Sequence, residues 1–287
     1  MDTTSISKTV ENLRSLCQIN ILSSWVYQQG NLEVNELEVN EVVNSDLSEW
    51  QSVKINQKNQ VVWDGGKQVL WLAQRFTVPE SLQGYPLSGL SLRLSLLWWA
   101  DAVEVYVNGN LVLIGDLFDC SPRVLLSQGV KPGDAFFVCL RLVSPGHCDG
   151  ALVRSLLIFE SLDYNDVDPG IVADELAITH VLLERFSPQG LAGLVAGVDE
   201  VRNRKGAKNA KEEREEEDWK NVVFNLRQLL LQSKIQNLKS KIYLLGHAHL
   251  DLAWLWPVSE TWNAAQNTFE SVLRLQSDFS ELIFCHS

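Results

Sequence analysis

Three side chains that could bind a metal ion lie close together near the end of the chain. His247, His249 and Asp251 are spaced by two residues and follow the apolar run 242–245 and Gly246. The apolar run predicts a short buried strand that the glycine ends. Because side chains alternate faces along an extended chain, all three would project the same way. Imidazole nitrogens and a carboxylate oxygen suit a divalent transition metal, zinc first.

A structural role is the alternative for such histidines, since a single histidine near a strand is usually a hydrogen-bonded core residue. Three ligand-type residues within five positions favour the metal site, although the spacing alone does not show which of them bind. Trp254 and Trp256 follow and add flat apolar surface beside the polar cluster. A metal next to an indole face is a plausible way to hold a sugar.

The stretch Gly-His-Ala-His-Leu-Asp-Leu-Ala-Trp-Leu-Trp-Pro at residues 246–257, followed by Glu260-Thr261, resembles the opening strand and loop of the family 38 α-mannosidases, in their cytosolic-type branch. The resemblance implies that His249 and Asp251 bind zinc, or another divalent transition metal, and that Trp254 stacks on the mannose. It does not make His247 a ligand. The implied activity is retaining, zinc-dependent hydrolysis of terminal α-mannosyl residues, with a mannose-containing oligosaccharide as partner.

The catalytic carboxyl groups are not found in this sequence. A retaining glycosidase needs one carboxylate to attack the anomeric carbon and one carboxylic acid to protonate the leaving oxygen. The resemblance assigns Asp251 to the metal, and no second carboxylate has a claim to either role. We therefore expect the nucleophile and the acid beyond Ser287, and we expect this N-terminal portion to be inactive alone. A homo-oligomer and a complementing downstream chain both stay open.

Two other classes of function compete with this interpretation. Amidohydrolase-type metal hydrolases also carry a His-x-His pair at the end of a first barrel strand, but there both histidines bind metal. A non-catalytic carbohydrate-binding or assembly module is the other alternative, and it would act through the strands that precede the motif.

Composition excludes several partners. The 287 residues carry a formal net charge of −12, which argues against nucleic acid or an anionic membrane surface as partner. No uncharged apolar run approaches a membrane span, and the N-terminus lacks a signal-peptide pattern. Five scattered cysteines, an odd number, favour a reduced cytoplasmic protein over a disulfide framework.

The middle of the chain predicts an antiparallel β-sandwich of jelly-roll-like type. Residues 90–96 alternate apolar and polar, and Asn108-Gly109 lies between two apolar runs, which predicts a hairpin with a type I′ turn. The strand tryptophans could form a carbohydrate platform, but we expect them to fill the core; they are Trp63, Trp71, Trp98 and Trp99.

Sequence patterns with the period of a helix lie on both sides of this region. Leu13, Leu16 and their neighbours predict a helix over residues 10–25. After Asp168-Pro169-Gly170 the period shifts towards 3.6. The predicted apolar face of the first helix has Leu176, Leu183 and Phe186 on one side, with Ile178 and Leu182 beside them. Residues 202–220 predict a solvated charged stretch, and an amphipathic helix that begins near Trp219 leads to the motif.

The motif itself begins a predicted βαβ unit. Ser259 is the predicted cap of a helix whose apolar face includes Trp262 and Phe269, and residues 282–285 predict a second buried strand. The full prediction is a multidomain chain: an extension (1–60), a β-sandwich (61–165), a helical linker (166–240) and the first βαβ unit of an incomplete α/β barrel (241–287). In such folds catalytic groups lie at the carboxyl ends of strands.

Overall fold

The computed structural model describes residues 4–30, 47–162, 168–206, 215–232, 246–248 and 257–286. Most of the described strands are antiparallel. In chain order the strands are β1 Gln18–Asn20, β2 Val26–Gln29, β3 Gln51–Ser52, β4 Val61–Trp63, β5 Val69–Thr77, β6 Ser81–Leu82, β7 Tyr85–Pro86, β8 Ser91–Trp99, β9 Ala102–Val107, β10 Asn110–Gly115, β11 Arg123–Ser127, β12 Ala135–Val143, β13 Gly150–Glu160, β14 Gly246–Ala248 and β15 Phe284–His286. The α-helices are α1 Thr4–Ser15, α2 Pro169–Phe186, α3 Pro188–Gly206, α4 Glu215–Gln232 and α5 Val258–Asp278.

Two antiparallel sheets share one apolar core. The first has the order β1-β13-β8-β11, with β4 also paired to β13, and the second has the order β10-β9-β12-β5-β2-β3. Leu94 and Leu157 of the first sheet belong to the same buried cluster as Leu72 and Leu140 of the second. Alternating positions of each strand face this cluster, as the sequence pattern predicts for a sandwich.

The second sheet is covered on its outer side as well. Trp71, Ala73 and Cys139 form a separate buried cluster against Leu47 and Trp50. Burial raises the pKa of the Cys139 thiol to about 12. Both faces of β5 are therefore buried, which explains why its sequence is a nearly continuous apolar run.

The strand tryptophans mostly fill the interior. Trp63, Trp71 and Trp98 are buried, which confirms the core role for these three. Trp99 is the exception, because 46% of its surface is exposed. Its indole Nε1–H donates to the Cys148 Sγ at 3.1 Å.

The predicted hairpin is confirmed. β9 and β10 pair in antiparallel fashion around Asn108 and Gly109, whose φ angles are 49° and 85°. These positive values are those that a type I′ turn requires of its two central residues.

The N-terminal segment differs from its predicted helix over residues 10–25. Helix α1 ends at Ser15, and β1 then pairs with β13, with Gln18 opposite Ile158. β2 pairs with β5 in the second sheet. Pairing with distant strands overrides the weak three-residue period, so strands within residues 1–60 belong to the same sheets as those of the predicted sandwich.

The helical region begins at an N-cap residue whose side chain makes hydrogen bonds. Asp168 precedes α2, and its carboxylate accepts from the Ile171 N–H at 2.8 Å and from the Ser161 N–H at 3.0 Å. Leu176 and Leu183 of α2 are buried as predicted. The other members of the predicted apolar face, namely Ile178, Leu182 and Phe186, are exposed. The apolar face of α2 is therefore narrower than the sequence pattern indicates.

Helix α4 follows its predicted pattern more closely. α3 begins at Pro188, directly after Ser187 ends α2. Val223, Leu226 and Leu230 of α4 are buried, and Trp219 Nε1–H donates to the Gln83 carbonyl at 2.7 Å. Residues 207–214 of the charged tract lie outside the described part of the chain.

The end of the chain forms a strand–helix–strand unit as predicted, but the first strand differs from its prediction. The predicted strand residues 242–245 lie outside the described residues, and Gly246, predicted to end that strand, is instead the first residue of β14. β14 and β15 pair in parallel, and α5 lies between them in the sequence. We call residues 246–248 and 257–286 the βαβ unit. The described residues contain no closed barrel. They also contain no helix that is both long and apolar enough to cross a membrane.

Candidate active site

The site residues that the sequence predicts follow the first parallel strand. β14 ends at Ala248, whose register partner is His286, the last residue of β15. His249 is therefore the first residue after the carboxyl end of a parallel strand, which is where α/β folds place their catalytic groups. His249, Asp251 and Trp254 themselves lie outside the described residues.

The histidine that the resemblance does not make a ligand is described. His247 lies within β14 opposite Cys285 of β15, and its side chain is exposed. Parallel neighbours in register project to the same side of a sheet, so the imidazole and the thiol share one face.

The described residues do not test the zinc prediction. Within the described ranges no group of three or more histidine, cysteine, aspartate or glutamate side chains could hold a metal ion. The predicted donors, an imidazole at 249 and a carboxylate at 251, are of the type that zinc prefers. Their donor chemistry fits the metal, and their assignment stays a prediction.

Helix α5 starts one turn after the predicted site. Pro257 takes the N-cap position with no side-chain cap hydrogen bond, so the predicted capping role of Ser259 is wrong. The Pro257 carbonyl accepts from the Glu260 N–H at 3.0 Å. Glu260 places a carboxylate in the first turn, where the helix dipole favours negative charge.

Polar side chains tie α5 to the sandwich. Arg93 of β8 forms a two-pronged ion pair with Asp278, at 2.9 Å and 3.0 Å. The Arg93 Nε–H also donates to Glu160 at 2.7 Å. One α5 turn earlier, Arg274 pairs with Asp119 of the β10–β11 loop.

Two neutral side chains of α5 also donate hydrogen bonds to aspartates of this loop. Asn267 Nδ2–H donates to Asp116 Oδ2 at 2.8 Å, and Ser271 Oγ–H donates to Asp119 Oδ2 at 2.6 Å. The helix that follows the predicted metal motif is thus positioned by the loop after the sandwich hairpin. Sequence reasoning missed this arrangement, because the two partners of the first contact are 151 residues apart.

A cavity lies between this loop and the first half of α5. Its volume is about 410 Å³, and one wall includes Phe118, whose surface is 83% exposed. The other wall includes Glu260, Asn263 and Asn267. We call this cavity the interdomain groove. The one sequence signal for it is an aromatic residue between the acids of Asp116-Leu117-Phe118-Asp119.

Among the described residues, two carboxyl groups have raised pKa values, and both lie in the helical region. Burial raises the pKa of Asp168, against the opposing effect of its backbone N–H donors. Burial also raises the pKa of Glu175, while the Arg227 guanidinium opposes the shift. Asp168 caps α2 and Glu175 pairs with Arg227, so their positions indicate structural roles.

The last part of the chain matches a known family. Residues 239–287 match the glycosyl hydrolases family 38 N-terminal domain. The matched segment contains the whole predicted metal motif and the βαβ unit. The matched segment is well under half of the chain. Among curated proteins, none matches this chain.

Solved structures show only distant likeness. A β-glucuronidase from glycoside hydrolase family 2 is 11% identical over 52% of this chain and 18% of its own, with a TM-score of 0.36. The Bacteroides uniformis β-glucuronidase is 14% identical over 50% of this chain and 17% of its own, with a TM-score of 0.38. TmCBM61, solved in complex with β-1,4-galactotriose, is 13% identical over 48% of this chain and 90% of its own, with a TM-score of 0.29.

These scores support no conclusion about activity, and the chain spans less than a fifth of each of the two β-glucuronidases named above. The family match carries the assignment instead: it supports a glycosyl hydrolase, through residues 239–287.

Proposed function

We propose that this chain provides the metal-binding part of a retaining, zinc-dependent α-mannosidase that acts on terminal α-mannosyl residues of oligosaccharides. One observation carries the proposal. The segment that matches family 38 contains residues 246–257, and β14 within it is a parallel strand that ends one residue before His249.

The proposed roles follow from the chemistry of each side chain. The His249 imidazole and the Asp251 carboxylate hold the metal, and the Trp254 indole stacks on the apolar face of the mannose ring. Bound zinc would act as a Lewis acid on the vicinal hydroxyls of the sugar and favour the oxocarbenium-like geometry of the transition state. No disulfide bond joins the described cysteines, which fits the cytoplasmic location that we include in the proposal.

Metal content tests the ligand assignment without any need for turnover. We expect the 287-residue chain to bind zinc weakly and to lose it to EDTA, because catalytic zinc sites normally take three ligands from protein and the motif supplies two. His249→Ala and Asp251→Ala should abolish the binding, as measured by isothermal titration with zinc.

His247→Ala is the matched control, since it changes an imidazole two residues away. It should leave zinc binding intact. Equal loss in His247→Ala and His249→Ala would favour the amidohydrolase-type alternative, in which both histidines bind metal. Tight zinc binding that resists EDTA would show that a ligand within the chain is missing from the assignment.

Activity tests the reaction class. In a chain that also carries the nucleophile and the general acid, Asp251→Ala should lower kcat for an aryl α-mannoside by at least about 100-fold, because metal ligands act on the transition state. Trp254→Ala should chiefly raise KM, since stacking on the ring is present in both ground and transition states. NMR of the first product should show the α-anomer. Release of the β-anomer, or full turnover in Asp251→Ala, would overturn the proposal.

A further inference from the structure

The interdomain groove has a fixed wall on the sandwich side. Asp116 Oδ1 accepts from the Phe118 N–H at 2.7 Å and from the Asp119 N–H at 2.9 Å, so the carboxylate holds the loop backbone in a turn. The buried indole of Trp98 donates to the Asp116 carbonyl at 2.9 Å. The loop is thereby attached to the core.

Gly115 allows this close attachment. A Cβ atom at Gly115 would lie 2.5 Å from the Trp98 ring, so the strand reaches the indole only without a side chain there. The Phe118 ring is consequently presented to solvent from a rigid support. A large exposed apolar ring on a fixed loop is a common feature of binding sites. The protein loses little conformational entropy when a ligand stacks on such a ring, because the loop is already ordered.

The helical wall supplies hydrogen-bonding groups. Glu260, Asn263 and Asn267 follow one another at spacings of three and four, so they lie on one face of α5. Asn267 lines the groove and donates to Asp116, so it joins the two walls. The Glu260 carboxylate and the Asn263 amide are exposed at its rim.

The charges in the groove select among ligand classes. The Asp119 carboxylate already pairs with Arg274, and Asp116 accepts from two backbone N–H groups and from Asn267, so a cation would have to displace these donors. The remaining carboxylate at Glu260 disfavours an anion. A flat ring opposite a carboxylate and an amide suits a neutral ligand with one apolar face and many hydroxyl groups, which describes a sugar.

We propose that the interdomain groove is a glycan-binding subsite built jointly by the sandwich loop and α5. Its volume falls in the range of roughly 300–1,000 Å³ that is usual for small-molecule sites. That the ligand is a mannose-containing glycan rests on the proposed function. The sugar stacks on Phe118 and bonds to Glu260 and Asn263.

The test measures binding of linear mannotriose to the 287-residue chain, by saturation-transfer NMR and by titration. Phe118→Ala and Asn263→Ala should each raise Kd at least about fivefold, and Phe118→Trp should restore binding because it keeps a stacking surface. Phe186→Ala is the matched control, since that phenylalanine is 78% exposed on α2 and does not line the groove. It should leave Kd unchanged.

The outcomes separate this inference from the proposed enzymatic activity. In the 287-residue chain, Asp251→Ala should keep mannotriose binding in the groove while it abolishes zinc binding. Absence of mannotriose binding, or equal Kd values for the wild type, Phe118→Ala and Asn263→Ala, would overturn the subsite and leave the catalytic proposal standing. Calcium binding that is lost in Glu260→Gln, without any sugar binding, would replace the subsite with a cation site.

Discussion

The sandwich and the βαβ unit bury their apolar residues to very different extents. Leu72, Leu94 and Leu140 of the sandwich have no exposed surface. Helix α5 has 21 residues and a clear apolar face, yet none of them is buried within the described part of the chain. Its Trp262 is 71% exposed.

The two regions are therefore stabilised by different forces. The sandwich is held by the removal of apolar surface from water, which dominates folding free energy. The βαβ unit is attached through ion pairs and hydrogen bonds at one side of α5. The predicted metal motif thus belongs to the part of the chain with the smaller apolar core, where we expect local opening to cost less free energy than in the sandwich.

Hydrogen exchange should show the largest difference between the regions. Amides of β8 and β12 should exchange only through global unfolding, whose free energy in globular proteins is about 5–15 kcal/mol. Amides of residues 258–278 should exchange through local opening and lose protection orders of magnitude sooner. Mass spectrometry of exchanged peptides measures both, and equal protection of α5 and β8 would break the comparison.

Truncating a leucine in each region should distinguish the two regions by unfolding free energy almost as clearly. Leu94→Ala should lower the free energy of unfolding by about 2–5 kcal/mol, because it leaves a cavity in the shared core. Leu273→Ala on α5 is the matched control, since it removes the same atoms from an exposed leucine. It should cost less than about 0.5 kcal/mol in urea denaturation. A comparable loss in both variants would mean that α5 has an apolar partner.

Local signals predicted several features of the fold correctly. The Asn108-Gly109 turn follows from the backbone needs of two residues, and the βαβ order follows from short apolar runs around an amphipathic helix. The strands β1 and β2 were missed because their partners are distant: Gln18 pairs with Ile158. No local pattern contains such a pairing.

The two candidate sites differ in the same way: one is local in the sequence, and the other joins distant segments. The metal motif is contiguous, so the sequence and its resemblance suffice to nominate His249 and Asp251. The interdomain groove joins Phe118 to Asn263, which are far apart in the sequence and meet only in the folded chain. Its prediction required the structure.

The ion pair at the end of α5 should have an intermediate effect. Asp278 is the last residue of α5, where the helix dipole disfavours a carboxylate, so its position is explained by Arg93. Asp278→Ala should cost about 1–3 kcal/mol, because it leaves two N–H groups of the buried Arg93 guanidinium without a partner.

The exposed Arg14–Asp174 pair provides the control for this variant. Its side chains are 45% and 68% exposed, and exposed pairs contribute about 0–1 kcal/mol. Asp174→Ala should therefore change stability little and leave exchange in α5 unaltered, whereas Asp278→Ala should speed exchange in α5. If the two variants behave alike, the ion pair does not hold the βαβ unit to the sandwich.

The smallest expected effect is a pH dependence of stability that originates in the helical region between the sandwich and the βαβ unit. Burial raises the pKa of Asp168 above its usual 3.8, although the N–H groups of Ile171 and Ser161 oppose the shift. The folded chain then binds this proton more tightly than the unfolded chain. Between 3.8 and the folded pKa, the contribution of Asp168 to stability must therefore fall as pH rises, and above the folded pKa it is constant. Asp168→Asn cannot titrate and keeps an acceptor for the Ile171 N–H, but it places an amide NH2 group where Asp168 Oδ2 accepts from the Ser161 N–H, so its baseline stability should be lower. The difference in unfolding free energy, wild type minus Asp168→Asn, should be greatest near pH 4 and shrink towards neutral pH.

Asp168→Ser, another neutral cap, should give a profile of the same shape. A difference that grows with pH would show that the cap hydrogen bonds outweigh burial and that the pKa of Asp168 is lowered.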